Sequence, residues 1–505
     1  MNNRIEEGKV WLVGAGPGDE GLLTIKGEKV LRQAQAVVYD ALVGKAILSA
    51  ISEEAEVFYA GKRAGNHAMT QEEISQLLLQ LAQQGKKVVR LHGGDPFLFG
   101  RGGEELELLA AHQIPFEVVP GVPSAIAVPA YCGIPVTHRD YCSSLHILTG
   151  HQRKGEELHL DFPALVKMGG TLVFLMGLAS LPAIRDGLLQ AGMSGNMPSA
   201  VLSHGAGAEQ RKIIAPLSML KEKAEEAQIQ TPAIIVVGEV CSLADQFTWY
   251  EKLPLFGKKI ILTRPRERSK ELADRLRGLG AEVLEIPAIR TRPCRDNTSL
   301  SEALQQIDQF QWLVFTSPAG VRIFFDFMKQ TRTDIRKLLP LKVAVLGEGT
   351  GKELEQHGMF AELMPEKYDG QELGKRLAAV LQEGEHVLIP RASQGNPELI
   401  REILTVKRAK AVDIPLYDTE YEKPEWVDLP GLFQESGNSG TYAVFTSSST
   451  VKGFAEAAAG LDYHLVRAVC IGQKTRDTAD SYGMQTVMAE KATLDSMVEC
   501  ILQLP

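Results

Sequence analysis

The sequence predicts an α/β protein of several domains on largely parallel sheets, and three observations carry the prediction. Short β-rich runs ending in Gly or Pro alternate with longer helical stretches along the whole chain. A length of 505 residues, at about 150 residues per domain, calls for roughly three to four domains. The second half also repeats itself: Trp312–Phe325 (WLVFTSPAGVRIFF) aligns with Tyr442–Ala455 (YAVFTSSSTVKGFA), sharing Val-Phe-Thr-Ser. Val343–Thr350 likewise matches Ala468–Thr475, and Lys259–Arg264 matches His386–Arg391, so three strand-to-loop units recur and predict two similar lobes.

Taken in order, Val10–Val13 reads as a strand ending at Gly14 and Lys87–Leu91 as one ending before Gly93, with Ile74–Gln83 patterned as a helix between. The clearest boundary is Asp245–Lys258, which follows the strand-like Ala233–Val237 and precedes a new strand, Lys259–Leu262, placing the cut near residue 255. In the second half, Ile286–Pro293 and Ile414–Pro424 are Pro-punctuated extended segments, suited to cross between the lobes as a paired hinge. A cleft between such lobes is the expected ligand site.

Composition narrows the function. With 44% apolar and 23% charged residues the chain has the balance of an ordinary globular protein, and disorder is excluded as its main state. The net charge of −9 argues against a surface that condenses on nucleic acid or anionic membrane. No run approaches the roughly eighteen apolar residues of a membrane span. The start Met-Asn-Asn-Arg-Ile lacks the order of a secretion signal, so a cytoplasmic location is expected. Six cysteines, never spaced C-x-x-C and with no histidine cluster around them, are expected to be reduced and structural, with no metal.

Three glycine-rich loops follow strands in the first half. Gly14-Ala15-Gly16-Pro17-Gly18-Asp19 departs from G-x-G-x-x-G. Asp19 would face a pyrophosphate and Pro17 lacks an amide to bind one, leaving a plain structural turn or a loop shaped around a small uncharged or cationic ligand. Gly93–Glu105 carries five glycines in its first eleven residues, a density that costs conformational entropy unless close backbone approach is needed. Asp95 there suits a ribose hydroxyl or a cationic centre better than a phosphate. Pro120-Gly121-Val122-Pro123-Ser124 makes a third such turn.

The runs VGAGPGDEGLLTIKGEKVLRQAQAVVYDALV, VVRLHGGDPFLFGRGGEE, GIPVTHRDY and TPAIIVVGEV, collinear over about residues 8–250, strongly resemble uroporphyrinogen-III C-methyltransferase of the tetrapyrrole methylase family. The resemblance implies a tetrapyrrole methylase fold of two α/β domains (residues 1–250) with the active site between them, S-adenosylmethionine as methyl donor, and a homodimer. Pro17, Gly93, Gly94, Asp95, Leu98, Pro123, Ser124, Met176 and Gly205 fall on the family's donor-binding positions; Pro123-Ser124 stands where the family usually has Thr-Ala or Ser-Ala. Asp40 matches the proposed proton acceptor and Lys62 the proposed donor. A placed carboxylate suits a ring system that must lose a proton after a pyrrole carbon is methylated; a helix cap is the bland reading of Asp40. The substrate has eight carboxylates, for which Arg63, Arg101, His138 and Arg139 are candidate partners, Arg through its planar fork.

For the second half, the residues alone indicate a ligand cleft with hydroxyl-rich loops, Thr316-Ser317 and Thr446-Ser447-Ser448-Ser449, at strand ends, serving ligand carboxylates or simply capping helices. The segments KIILTRPRERSKELADRLRGLGAEVLEIPAI, FTSPAGVR, VLIPRA, PLYDTEY, FTSSSTVKGF and CIGQKT resemble uroporphyrinogen-III synthase. That resemblance implies a two-lobed parallel α/β fold over residues 258–505 with a two-strand hinge, one lobe from about 258–290 plus 424–505 and the other from about 291–420. It implies cyclisation of hydroxymethylbilane with inversion of its last ring, without cofactor or metal. Tyr417 matches the tyrosine that helps the hydroxyl depart. Thr316, Ser317, Thr446, Ser447, Ser448, Lys474 and Thr475 would hold substrate carboxylates, with Gln473-Lys474 replacing the more usual small residue or Pro. Together the two halves imply a bifunctional enzyme that makes uroporphyrinogen III and methylates it twice to precorrin-2. The alternative is a methylase fused to a non-catalytic, tetrapyrrole-sensing pair of lobes.

Overall fold

The computed structural model describes residues 8–504 except 53, 62–68, 151–157, 423–425 and 436–439; of residues 266–268 and 435 only the backbone is described. Residues Met1–Ala288 with Lys423–Pro505 form one unit, and Ile289–Glu422 a second.

The first unit opens with β1 (Lys9–Gly14), β2 (Ala36–Tyr39), β3 (Glu56–Tyr59), β4 (Lys87–His92) and β5 (Phe116–Val119), a parallel sheet ordered β3-β2-β4-β1-β5. Its apolar residues alternate between two cores. Val10, Leu12, Ala36, Val38 and Val88 pack on one face with the helix Gln71–Gln83, while Val13, Val37, Tyr39, Val89 and Leu91 pack on the other. Burial on both faces explains why these strands read as near-continuous hydrophobic runs. The helix Gln71–Gln83 starts at a capping box of Thr70 and Glu73, three residues before the predicted Ile74.

The second sheet, β6 (Leu145–Thr149), β7 (Thr171–Leu175), β8 (Pro198–Ser203), β9 (Arg211–Pro216) and β10 (Ala233–Val237), is ordered β6-β7-β10-β8-β9. Only β6 and β7 run parallel and the other pairs are antiparallel, so this sheet is the exception among the largely parallel sheets expected. The short connection from Ser203 to Arg211 joins paired neighbours directly, which only an antiparallel arrangement permits. The stretch after β10 is no open linker. Trp249 donates its indole N–H to the Ala130 carbonyl at 3.0 Å. Tyr131, Trp249, Tyr250 and Phe256 meet edge to face at 4.9–5.5 Å, tying residues 249–256 to the methylase-like part of the unit.

Next come β11 (Lys259–Leu262) and β12 (Glu282–Glu285) of the first unit, then the second unit's β13 (Ile289–Pro293), β14 (Trp312–Phe315), β15 (Lys342–Val345), β16 (His386–Ala392) and β17 (Lys410–Tyr421), and finally β18 (Thr441–Phe445), β19 (Arg467–Cys470) and β20 (Gln485–Met488), again of the first unit. The sheets are ordered β12-β11-β18-β19-β20 and β13-β17-β16-β14-β15. The repeat is visible in them: β11-β18-β19 and β16-β14-β15 are the matched segments in the same spatial order. β13 pairs antiparallel with β17, Pro293 opposite Tyr417 and Ile289 opposite Tyr421, so the two Pro-punctuated segments do pair. No helix among the described residues is long and apolar enough to cross a membrane.

Candidate functional site

The three glycine-rich loops leave the carboxyl ends of β1, β4 and β5, neighbours in the first sheet. They touch backbone to backbone. Gly16 and Gly94 exchange amide-to-carbonyl hydrogen bonds of 3.1 and 2.8 Å. A Cβ on Gly14 would lie 2.5 Å from the Gly121 Cα, and one on Gly121 only 2.1 Å from the Gly94 carbonyl oxygen. Glycine is there because no side chain fits. Asp95 stitches the assembly: one carboxylate oxygen accepts the Phe97 and Leu98 amides (2.8 and 3.2 Å), the other the Gly121 amide (3.0 Å). Its first task is therefore holding loops, although each oxygen keeps lone-pair capacity for a ligand.

The donor positions gather round this cradle in part. Ser124 opens the helix Ser124–Tyr131 after Pro123 and its amide lies 3.6 Å from where a Gly94 Cβ would stand. Leu98 packs against the core cluster to which Ala125 and Val128 of that helix belong. Gly205 is pressed against Val128, a Cβ there meeting its Cγ1 at 2.3 Å. The Gly205 carbonyl in turn lies 3.5 Å from a Cβ on Gly18, so the loop of Pro17 meets the loop of Gly205. Met176 follows β7, half-exposed with φ 55°, and His204 and Ala206 flank Gly205 at φ 47° and 62°. Left-handed backbone at non-glycine residues persists only where surroundings over-determine it, and it clusters at functional sites.

Asp40 follows β2 directly and caps no helix. One of its oxygens accepts the Leu42 amide at 3.0 Å, and the other accepts the Arg90 guanidinium at 3.0 Å. Behind it lies a buried network that sequence reasoning missed. Arg90 donates from Nε to Glu105 and from Nη1 to the Leu91 carbonyl, each at 3.0 Å. His92 Nε2 lies 3.0 Å from the other Glu105 oxygen, and Gln71 donates to Glu105 at 3.0 Å. Glu105 is fully buried. Burial pushes its pKa up, but the hydrogen bonds and charges of His92 and Arg90 outweigh it and hold the carboxyl below the ordinary carboxylate range. The missed signal was parity: Val88, Arg90 and His92 share one face of a strand whose other faces are apolar, and charges on such a face require a partner.

The proposed substrate partners are placed less uniformly. Lys62 and Arg63 lie outside the described residues. Arg101, at φ 62° before the helix Gly102–Ala111, gives its fork to Glu104 at 3.0 and 2.6 Å. His138 accepts the Asp140 amide at Nδ1 (3.2 Å) and stands edge to face with Tyr141, while Arg139 is exposed. Leu42, two residues after Asp40, and Phe97 and Phe99, within the loop after β4, are exposed apolar residues.

The loops of Pro17 and Gly205 also meet β11, β12 and the helix Arg266–Gly278. Asp19 accepts the Tyr131 hydroxyl at 2.7 Å, and the adjacent Glu20 pairs with Arg277 at 2.5 Å. Ala208 donates its amide to Glu282 at 3.1 Å, and Glu209 pairs with Lys259.

In the synthase-like residues of the first unit, Ser447 caps the helix Ser448–Ala457, Ser448 donates to the Lys474 carbonyl at 3.0 Å, and Thr475 is buried after Gly472 in the helix Gln473–Ser481. Thr446 precedes the cap, half-buried. In the second unit Ser317 caps the helix Pro318–Gln330 by accepting the Gly320 amide at 3.0 Å, beside the half-buried Thr316. The Ser317 hydroxyl also lies 2.8 Å from that of Tyr417, whose ring is buried in the core of that unit. The serines thus cap helices in both halves of the repeat. Sequence reasoning passed over Arg391, buried with a bidentate pair to Asp413 at 2.7 Å and a bond to the Asn396 carbonyl at 2.6 Å. The matched KIILTR and HVLIPR segments were the signal for it. All six cysteines are free, and the described residues contain no cluster of metal-ligating side chains.

Comparison with known proteins agrees with this division. The family model of the tetrapyrrole (corrin/porphyrin) methylases matches residues 9–221, and that of uroporphyrinogen-III synthase HemD matches residues 270–499. The porphyrin biosynthesis protein HemD of Ruminiclostridium josui is 45% identical over 502 residues, covering 99% of each chain. The uroporphyrinogen-III C-methyltransferase of Bacillus subtilis (strain 168) is 40% identical over 358 residues, covering 70% of this chain and 73% of its own. Among solved structures, the native uroporphyrin III C-methyl transferase of Thermus thermophilus is 37% identical, covering 46% of this chain and 99% of its own, with a TM-score of 0.40. The chain therefore belongs to the tetrapyrrole methylases through its first half and to the uroporphyrinogen-III synthases through its second, a fused enzyme of tetrapyrrole biosynthesis.

Proposed function

We propose that the second half (residues 258–505) cyclises hydroxymethylbilane to uroporphyrinogen III with inversion of the last ring, and that the first half (residues 1–250) methylates this product twice to precorrin-2, for sirohaem or cobalamin. The observation that carries the reading is the presence of both families in one chain, matched end to end by a relative in porphyrin biosynthesis.

S-adenosylmethionine is the methyl donor in this reading, supplying a methyl group on a cationic sulfonium. The residues fit it: a cradle closed by backbone, holding a carboxylate and a proline, suits a cationic, largely neutral-bodied ligand better than a pyrophosphate. Gly93, Gly94, Asp95, Ser124 and Gly205 bind through backbone and carboxylate, while Pro17, Leu98, Pro123 and Met176 enclose the ligand. Asp40 accepts the proton that the cationic ring system loses after its pyrrole carbon is methylated. Lys62 is the proton donor, and Arg63, Arg101, His138 and Arg139 pair with substrate carboxylates, Arg101 exchanging Glu104 for substrate.

In the synthase half Tyr417 donates a proton or hydrogen bond to the departing hydroxyl, relayed by Ser317. Thr316, Ser317, Thr446, Ser447, Ser448, Lys474 and Thr475 hold carboxylates at helix N-termini, which favour anions. The enzyme works in the cytoplasm as a homodimer formed by its methyltransferase half. Fusion raises the concentration of the second active site around the first product.

The test is an anaerobic incubation with hydroxymethylbilane, with and without S-adenosylmethionine, read by product mass and isomer. Isomer III without donor and two added methyl groups with it are expected. Only the spontaneous type I product in the donor-free arm would reduce the second half to a binding module.

A further inference from the structure

We propose that Glu105 is a positioning residue for methyl transfer: it holds the Arg90 guanidinium so that the remaining arm of that fork fixes the Asp40 carboxylate. The inference rests on the reading of Asp40 as proton acceptor.

Glu105 and Gln71 project from the helices Gly102–Ala111 and Gln71–Gln83 onto the face of β4 that carries Val88, Arg90 and His92. One Glu105 oxygen receives Arg90 Nε and the Gln71 amide; the other receives His92 Nε2. An ionised carboxylate only accepts, so His92 carries its proton on Nε2. Arg90 is 4% exposed and Glu105 fully buried, whereas Asp40 at the end of the chain of contacts is 27% exposed. The network thus runs from the core to a carboxylate partly open to solvent. Here the last link reaches out of the core and, with the Leu42 amide, pins both Asp40 oxygens. The carboxylate plane is then fixed while each oxygen keeps lone-pair capacity, as a base aimed at one carbon of a large substrate requires. The guanidinium cannot turn away from Asp40 while Glu105 holds Nε and the Leu91 carbonyl holds Nη1.

The experiment uses the full chain and four variants: Glu105→Gln, Arg90→Lys, Asp40→Asn, and the double Asp40→Asn/Glu105→Gln. Methylation of uroporphyrinogen III gives kcat and KM, calorimetry gives S-adenosylhomocysteine affinity, and melting reports folding. Glu105→Gln and Arg90→Lys are expected to lower kcat about ten-fold or more, with KM and S-adenosylhomocysteine affinity within about two-fold. Lysine keeps the charge of Arg90 but lacks the rigid fork that holds Glu105 and Asp40 in fixed directions. In the double variant Glu105→Gln adds less than about two-fold to the loss from Asp40→Asn, because both act through one carboxylate. Should Glu105→Gln not fold, His92→Leu, which removes one donor from Glu105, shows the same kcat signature with a smaller loss. Unchanged kcat in the Glu105 and Arg90 variants, losses that multiply with Asp40→Asn, or a parallel fall in S-adenosylhomocysteine affinity overturns the proposal. If Asp40→Asn alone keeps full activity, the proton-acceptor reading itself fails.

Discussion

Replacing Gly121 by alanine tests whether the three glycine loops form the donor site. The new methyl group would stand 2.1 Å from the Gly94 carbonyl oxygen and 2.6 Å from the Gly14 Cα, where ordinary contact begins at 3.4 Å. All the atoms it meets are backbone, so the loops must part by about 1 Å or more. One hydrogen bond across this gap holds the Gly121 loop in place, from the Gly121 amide to the Asp95 carboxylate at 3.0 Å. At about 2 kcal/mol for a hydrogen bond to a charged group, parting the loops costs roughly that much preorganisation. If most of that falls on the donor site, S-adenosylhomocysteine binds at least about ten-fold more weakly in calorimetric titration of the full chain. Gly103, in the first turn of a helix with nothing within 4 Å of its Cβ, is the control, and Gly103→Ala leaves the affinity unchanged. An affinity for Gly121→Ala within about three-fold of the parent, in a folded protein, refutes the assignment of the cradle.

Tyr417→Phe removes the hydroxyl that meets Ser317 but leaves the cap to Gly320 intact. We expect a stability loss of about 1 kcal/mol in urea titration and a fall in isomer III formation of about ten-fold or more, with KM little changed. The Glu105 carboxyl is held below its ordinary value of 4.5, so the stability it contributes is present above about pH 4.5 and is lost as pH falls through its lowered pKa. The melting temperature of the parent should therefore fall more steeply below that pH than that of Glu105→Gln, and parallel acid limbs would contradict the sign. Burial pushes the thiols of Cys132, Cys241 and Cys470 up to about 12. These three should resist a thiol reagent at neutral pH until denaturant is added; rapid labelling of the native protein would show that their surroundings open.

Much of this protein is legible in its sequence because its functional loops are local. The strand-to-glycine transitions at Gly14 and Gly93 and the paired repeats at Thr316 and Thr446 lie within a few residues of chain, where φ/ψ freedom and side-chain spacing leave direct marks. The family motifs are runs of the same kind. Sequence alone thus determined the α/β class, the duplicated lobes, and the candidate residues Asp40 and Tyr417. Tertiary structure decided what those residues touch. Asp95 reads as a ligand-facing carboxylate, yet it spends both oxygens on backbone amides, one of them 26 residues away at Gly121. Glu105 reads as one more acid on a helix; Arg90 lies 15 residues before it and Asp40 another 50 before that, and only the packing of two helices on one face of a sheet brings them together. The antiparallel course of the second sheet and the aromatic anchoring of residues 249–256 escaped prediction for the same reason. Pairing partners and cluster contacts are set by the energy of burying surfaces distant in sequence, a quantity the local pattern does not encode.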